Sequence, residues 1–172
     1  MKIFINAGHG GIDPGAVSSN GKKEKDITRI IGSFLAGFLI DKGYDIEFYQ
    51  QKTSVNEIVE AEKKSKSALV ISLHCNSSTS SKASGVECLY YPGSTTGKAV
   101  AESINRSVAE YLEIRNRGIK ERRDLRVLSG TVAPAVLVEM AFLSNLAEEK
   151  MLVQEPYNFA DAIAKGVEEW AK

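Results

Sequence analysis

The sequence predicts a single-domain α/β fold, a sheet with helices on both faces. Three observations carry this expectation. Runs with the two-residue period of strands alternate with runs of the longer helical period. Two of the strand runs, ALVISL (68–73) and AVLVEM (135–140), are almost wholly apolar, as in strands covered on both faces. The chain has 172 residues, 43% of them hydrophobic, with no internal repeat or linker, which suits one compact core.

The elements follow in order. Residues 2–7 (KIFINA) read as a first strand ended by Gly8, and 8–23, rich in Gly, Ser, Asn and Lys, as a loop. From Glu24 the residues Ile27, Ile30, Ile31, Phe34, Leu35, Phe38 and Leu39 recur at helical spacing, and Gly43 closes the helix. Residues 44–49 (YDIEFY) alternate as a second strand. Ser54 and Glu57 have the spacing of a capping box in front of a helix over 54–67. The strand 68–73 ends at His74-Cys75-Asn76, and a Ser-rich loop covers 77–84. Residues 85–91 (GVECLYY) read as a strand closed by Pro92-Gly93. A helix over 96–112 carries Val100, Ile104, Val108, Tyr111 and Leu112 on one side. The charge-dense 113–126 (EIRNRGIKERRDLR) reads as a connection. The strand 135–140 ends near Phe142, and a last helix from about Pro156 to Trp170 turns Phe159, Ile163, Val167 and Trp170 inward.

Composition narrows the function classes. The 22 basic residues balance 22 acidic ones, so no global field draws in a nucleic acid. The cysteines Cys75 and Cys88 are too few for a disulfide scaffold, and reduced thiols are expected. The N-terminal MKIFINAGHGG is too short for a signal peptide and lacks a small-residue cleavage site. No stretch approaches the ~20 apolar residues of a membrane span.

Open α/β sheets present functional groups at the carboxyl ends of their strands. The chain has 2 histidines, His9 and His74, and both fall at such ends. A catalytic zinc site takes three protein ligands, often two imidazoles and a carboxylate, and keeps one position for water. Glu24, where the first loop becomes the first helix, is the leading carboxylate, with Asp13 and Asp26 as competitors. Glu139 interrupts the apolar PAVLVEMAF, where a carboxylate needs a partner and could act as a base. Spacing alone leaves alternatives open. The histidines could be turn or core residues, Glu24 a helix N-terminal carboxylate, and Glu139 the partner of an arginine from 115–126. The loop GHGGIDPG is not GxGxxG and lacks the Lys-Ser/Thr of a phosphate-binding loop, which argues against a nucleotide.

Four motifs in order, NAGHGGIDPGAV, KEKD, VISLHCNS and PAVLVEMAFLSN, closely resemble the zinc-dependent N-acetylmuramoyl-L-alanine amidases, catalytic modules of autolysins and many phage endolysins. The similarity runs from residue 3 to the end. It implies one catalytic domain over 1–172 and a mixed, mostly parallel sheet of about six strands flanked by helices. It implies cleavage of the amide bond between N-acetylmuramic acid and L-alanine in peptidoglycan. It further implies Zn2+ held by His9, Glu24 and His74, with Glu139 as catalytic base. Arg117, Lys120 and Asn76 are candidate substrate contacts by the same resemblance, the alternative for the basic stretch being a solvated loop.

The chain departs from the family at QQKTSVNEIVEAEKK, where an arginine-rich stretch is usual, and at Cys75, where alanine is common. Strand alternation turns Cys75 away from the side His74 faces, so a packed thiol is expected and not a fourth ligand. Two other function classes compete: a zinc carboxypeptidase acting on wall peptides, and a non-catalytic peptidoglycan-binding module. The expected partner is peptidoglycan, with no nucleic acid, membrane or obligate protein partner. Synthesis in a cytoplasm without a signal peptide, and action on the wall after release, is the expected localisation.

Overall fold

The computed structural model describes every residue from Met1 to Lys172. Its elements are β1 (Lys2–Ala7), α1 (Glu24–Asp41), β2 (Asp45–Gln50), α2 (Val55–Ser65), β3 (Leu69–Asn76), β4 (Val86–Tyr90), α3 (Thr95–Tyr111), β5 (Asn116–Glu121), α4 (Arg126–Ser129), β6 (Ala135–Phe142), α5 (Leu146–Gln154) and α6 (Pro156–Ala171). The strands form a 6-stranded sheet in the order β2-β1-β3-β6-β4-β5. β2, β1, β3 and β6 run parallel, whereas β4 enters antiparallel to β6 and carries β5 parallel to itself. The sheet is thus mixed and mostly parallel, as the sequence predicts.

The apolar runs of β1, β3 and β6 occupy the interior of the sheet, and the charge-bearing β2 and β5 form its edges. Strand alternation then sorts side chains into two layers. Ile3, Ile5, Leu69, Ile71, Leu73, Cys75, Val86, Cys88, Val136 and Val138 face a cluster of 30 buried residues shared with α1, α3 and α6. Phe4, Val70, Leu89 and Leu137 face a cluster of 9 on the side of α2 and α4. The second face is therefore the thinly covered one. His74, Glu139 and Glu87 share the parity of Val70, Leu137 and Leu89, so their side chains emerge on it.

The structure departs from the sequence-based expectations at a few elements. The connection 113–126 contains the edge strand β5 and the start of the single-turn α4, and α5 lies beyond β6. Of the α1 stripe, Ile27, Ile31, Leu35 and Leu39 are buried while Ile30 and Phe34 are exposed, because seven apolar residues span more than one helical face. Phe34 and Phe38 instead meet the Tyr157 ring, with centroids 5.8 and 4.7 Å away. Tyr111 is also exposed, and the Lys165 ammonium covers its ring at 3.9 Å. Ser54 makes no side-chain cap, and the Glu57 carboxylate accepts instead from the Lys52 backbone N–H at 2.8 Å. No helix is long and apolar enough to cross a membrane. Cys75 and Cys88 are free, buried thiols.

Candidate functional site

The site lies at the carboxyl ends of β1 and β3. The chain leaves β1 at Gly8, and His9 takes a left-handed backbone with φ 61°. Gly8 is required by a close approach: a Cβ there would lie 2.5 Å from His74 Cε1 and from the Leu73 carbonyl oxygen. The Gly8 carbonyl is held in turn by the Thr28 hydroxyl of α1 at 2.8 Å. Gly15 has φ 65°, and its Cβ would strike Glu24 Oε2 and His9 Cδ2 at 2.6 Å.

Glu24 opens α1, where the helix dipole favours a carboxylate, and is only 3% exposed. Each of its oxygens meets one backbone N–H and one imidazole. Oε1 accepts from Cys75 N at 2.9 Å and faces His74 Nδ1 at 3.0 Å. Oε2 accepts from Ala16 N at 2.8 Å and faces His9 Nε2 at 3.2 Å. One ligand-capable atom from each of His9, Glu24 and His74 lies within 4.8 Å of the others. Two nitrogens and a carboxylate drawn from three segments form the donor set that suits a catalytic zinc.

Glu139 stands beside this trio. In the β3–β6 ladder it is the register partner of His74, so both side chains leave the sheet on the same face. Its Oε2 is sealed from solvent and has no hydrogen-bond partner. A buried carboxylate oxygen left unpaired is costly and points to a missing cation or water. Burial pushes the Glu139 pKa up to about 7, with the His74 charge opposing the rise and Glu24 and Glu87 adding to it. Burial would also raise Glu24, but His74 and His9 outweigh it and hold that carboxyl well below the usual range. For His9 burial opposes the cation, yet Glu24 and then Asp13 raise its pKa to about 9.

The competing carboxylates fall elsewhere. Asp13 sits on the far nitrogen of the His9 ring, Nδ1, at 2.8 Å, and Asp26 is not among the converging atoms. Glu139 does not pair with an arginine; the arginine at hand, Arg117, is taken by Glu87 on β4 at 2.9 Å. Cys75 points into the helical core, as strand alternation requires. Burial first, then Glu24 and Glu139, push its thiol pKa well up, and its packing in the core turns it away from the face of His74.

The three candidate substrate residues gather round Glu87. Its carboxylate accepts from Asn76 Nδ2 at 3.1 Å, Arg117 Nε at 2.9 Å and Lys120 Nζ at 2.6 Å. Glu87 is the antiparallel register partner of Glu139, so His74, Glu139 and Glu87 form a row across three strands. Sequence reasoning missed Glu87, although a charge inside GVECLYY is the same signal that singles out Glu139. Gln51, which donates to Asp13 at 3.2 Å, carries no such signal.

Two imidazoles and two carboxylates collected at the carboxyl rim of an α/β sheet form a constellation suited to a metal-assisted hydrolase. The chain belongs to the N-acetylmuramoyl-L-alanine amidase family, whose model matches residues 3–169. It is 29% identical to the germination-specific N-acetylmuramoyl-L-alanine amidase of Bacillus subtilis, over 96% of this chain and 77% of that protein. It is 32% identical to the endolysin of Bacillus phage SPP1, over 97% of this chain and 65% of that protein. The fold superposes on N-acetylmuramoyl-L-alanine amidase AmiC2 of Nostoc punctiforme with a TM-score of 0.92 at 27% identity, covering 99% of this chain and 97% of that one.

Proposed function

We propose that this chain is a peptidoglycan amidase that cleaves the bond between N-acetylmuramic acid and L-alanine with the help of zinc held by His9, Glu24 and His74. The observation that carries this reading is the unpartnered Glu139 Oε2 on the strand position next to His74. A zinc ion in this donor set supplies a Lewis acid that polarises the amide carbonyl and makes a nearby water more acidic. Glu139 is placed to take a proton from the attacking water and to deliver it to the departing alanine nitrogen as the C–N bond breaks. Glu24 keeps both imidazoles turned inward while its own oxygens stay anchored to Cys75 and Ala16 N–H groups. Lys120, about half exposed and held by Glu87, offers a cation for a carboxylate of the stem peptide. Arg117 and Asn76 brace that cation's surroundings through the same Glu87.

The test joins metal analysis to product analysis. Glu139→Gln should keep one zinc per chain and lose activity on isolated cell walls by roughly 10²–10⁴-fold, the range for a removed general base. His74→Ala should lose zinc and activity together. The products should be complete stem peptides with a new N-terminal alanine. Release of single C-terminal residues would replace the amidase reading with a carboxypeptidase. Undiminished lysis after thorough chelation would remove zinc from it.

A further inference from the structure

We infer that Asp13, braced by Gln51, is a positioning residue that orients the His9 imidazole for metal binding. The inference rests on the zinc reading above and goes beyond it to a residue that touches no metal. His9 lies in a loop with a left-handed φ of 61°, uncommon for a residue with a side chain, and outside the helices and strands that would fix its ring. Asp13 Oδ2 meets His9 Nδ1 at 2.8 Å. An ionised carboxylate only accepts, so Nδ1 keeps its hydrogen toward Asp13, and Nε2, which faces Glu24 Oε2 at 3.2 Å, is the nitrogen left to give up its proton and bind a metal. Carboxylate–histidine–metal chains of this kind fix the tautomer and raise the basicity of the ligating nitrogen.

The carboxylate is itself fixed on several sides. Oδ1 accepts from Gly15 N at 2.9 Å, and Oδ2 also accepts from Gln51 Nε2 at 3.2 Å. A reciprocal backbone pair, Gly10 N to Asp13 O at 3.0 Å and Asp13 N to Gly10 O at 2.9 Å, closes the turn between them. Gln51 is itself buried, one residue past the end of β2. Aspartate alone satisfies the full set of donors. Asparagine would have to turn its NH2 either on Gly15 N–H or on Gln51 and His9. His74 has no such carboxylate, and its outer edge packs against Gly8, where a Cβ would come within 2.6 Å of Nε2. Beyond the contact each makes with Glu24, the outer edges of the two imidazoles are therefore held by different means, His9 by a hydrogen bond and His74 by packing.

The experiment measures zinc affinity by competition with a chromophoric chelator on the metal-free full chain, together with thermal melts of the same metal-free samples. Asp13→Ala should weaken zinc binding roughly 10–100-fold, the usual effect of losing such a partner. Asp13→Asn should weaken it by a smaller factor, and Gln51→Ala by less again. The metal-free melts should stay close to the parent. Zinc affinity of Asp13→Ala within about twofold of the parent would overturn the inference. So would weaker binding matched by equal loss of metal-free stability in both Asp13 variants, since Asp13 would then only fasten the loop. A parent that takes up no zinc would instead bring down the metal reading itself, and the two failures are told apart by that control.

Discussion

Glu87 occupies the point where Asn76, Arg117 and Lys120 all direct donors. Its burial favours the neutral acid, but Lys120 and then Arg117 outweigh that and hold its pKa below the usual 4.5. A carboxyl depressed on folding stabilises the native state above its unfolded pKa, and that contribution fades as pH falls through the folded value. Glu87→Gln should therefore be less stable than the parent by about 1–2 kcal/mol near neutral pH, the exposed Lys120 end of the pair being partly screened. Urea titrations of both proteins should show the gap closing as the pH is taken below 4.5; a gap independent of pH would mean the charge of Glu87 does nothing. At this scale the sequence was legible by parity. Strand alternation within β3 turns Cys75 away from the face of His74, as read from the sequence, whereas the shared face of His74 and Glu139 is set by the β3–β6 register. Glu24 stood out by its place where the first loop becomes α1, with Asp13 and Asp26 as competitors, and motif resemblance singled it out, because helix-to-strand proximity across a rim leaves no local periodicity.

The elements that escaped prediction are those whose local signal is weakest. β5 is a short edge strand carrying Arg117, Lys120 and Glu121, and charges that protect an edge also make it read as a loop. α5 follows β6 after a brief turn, and its evident marker is the cap, Asn145 accepting from Ala147 N and Glu148 N. The core strands and long helices were legible because burial on both faces, or on one helical stripe, writes itself into the apolar pattern. α5 supplies Glu148, which ties two elements together by accepting from Gly85 N before β4 and from Phe142 N at the end of β6, each at 2.6 Å. Replacing Glu148 with alanine strands both buried N–H groups, at about 1–3 kcal/mol each. A fall of that order in unfolding free energy, measured by urea denaturation, is the expected outcome; a change under about 0.5 kcal/mol, the range of an ordinary surface substitution, would show that water replaces the carboxylate.

For the molecule as a whole, the larger hydrophobic cluster, 30 buried residues, lies on the sheet face opposite His74 and Glu139, while His9 and His74 border the smaller one at Ile58, Val127 and Leu137. The fold should therefore persist without metal, unlike small zinc domains that unfold when it is removed. Chelation should abolish wall lysis and leave the far-ultraviolet circular dichroism and one cooperative melt intact. Zinc at roughly a hundred times its Kd should then add about 2.7 kcal/mol of stability. Loss of secondary structure on chelation would contradict this separation. The row of His74, Glu139 and Glu87 has one more consequence. Its members are spaced by the sheet's own repeat, about 4.8 Å from strand to strand, and not by any loop. The sheet is a ruler, and its graduations come in only two phases. Deleting a single residue from β6 ahead of Glu139 would bring Met140 to the working mark and bury the carboxylate among the aliphatic chains on the reverse side, whatever care was taken to preserve every other residue of the site.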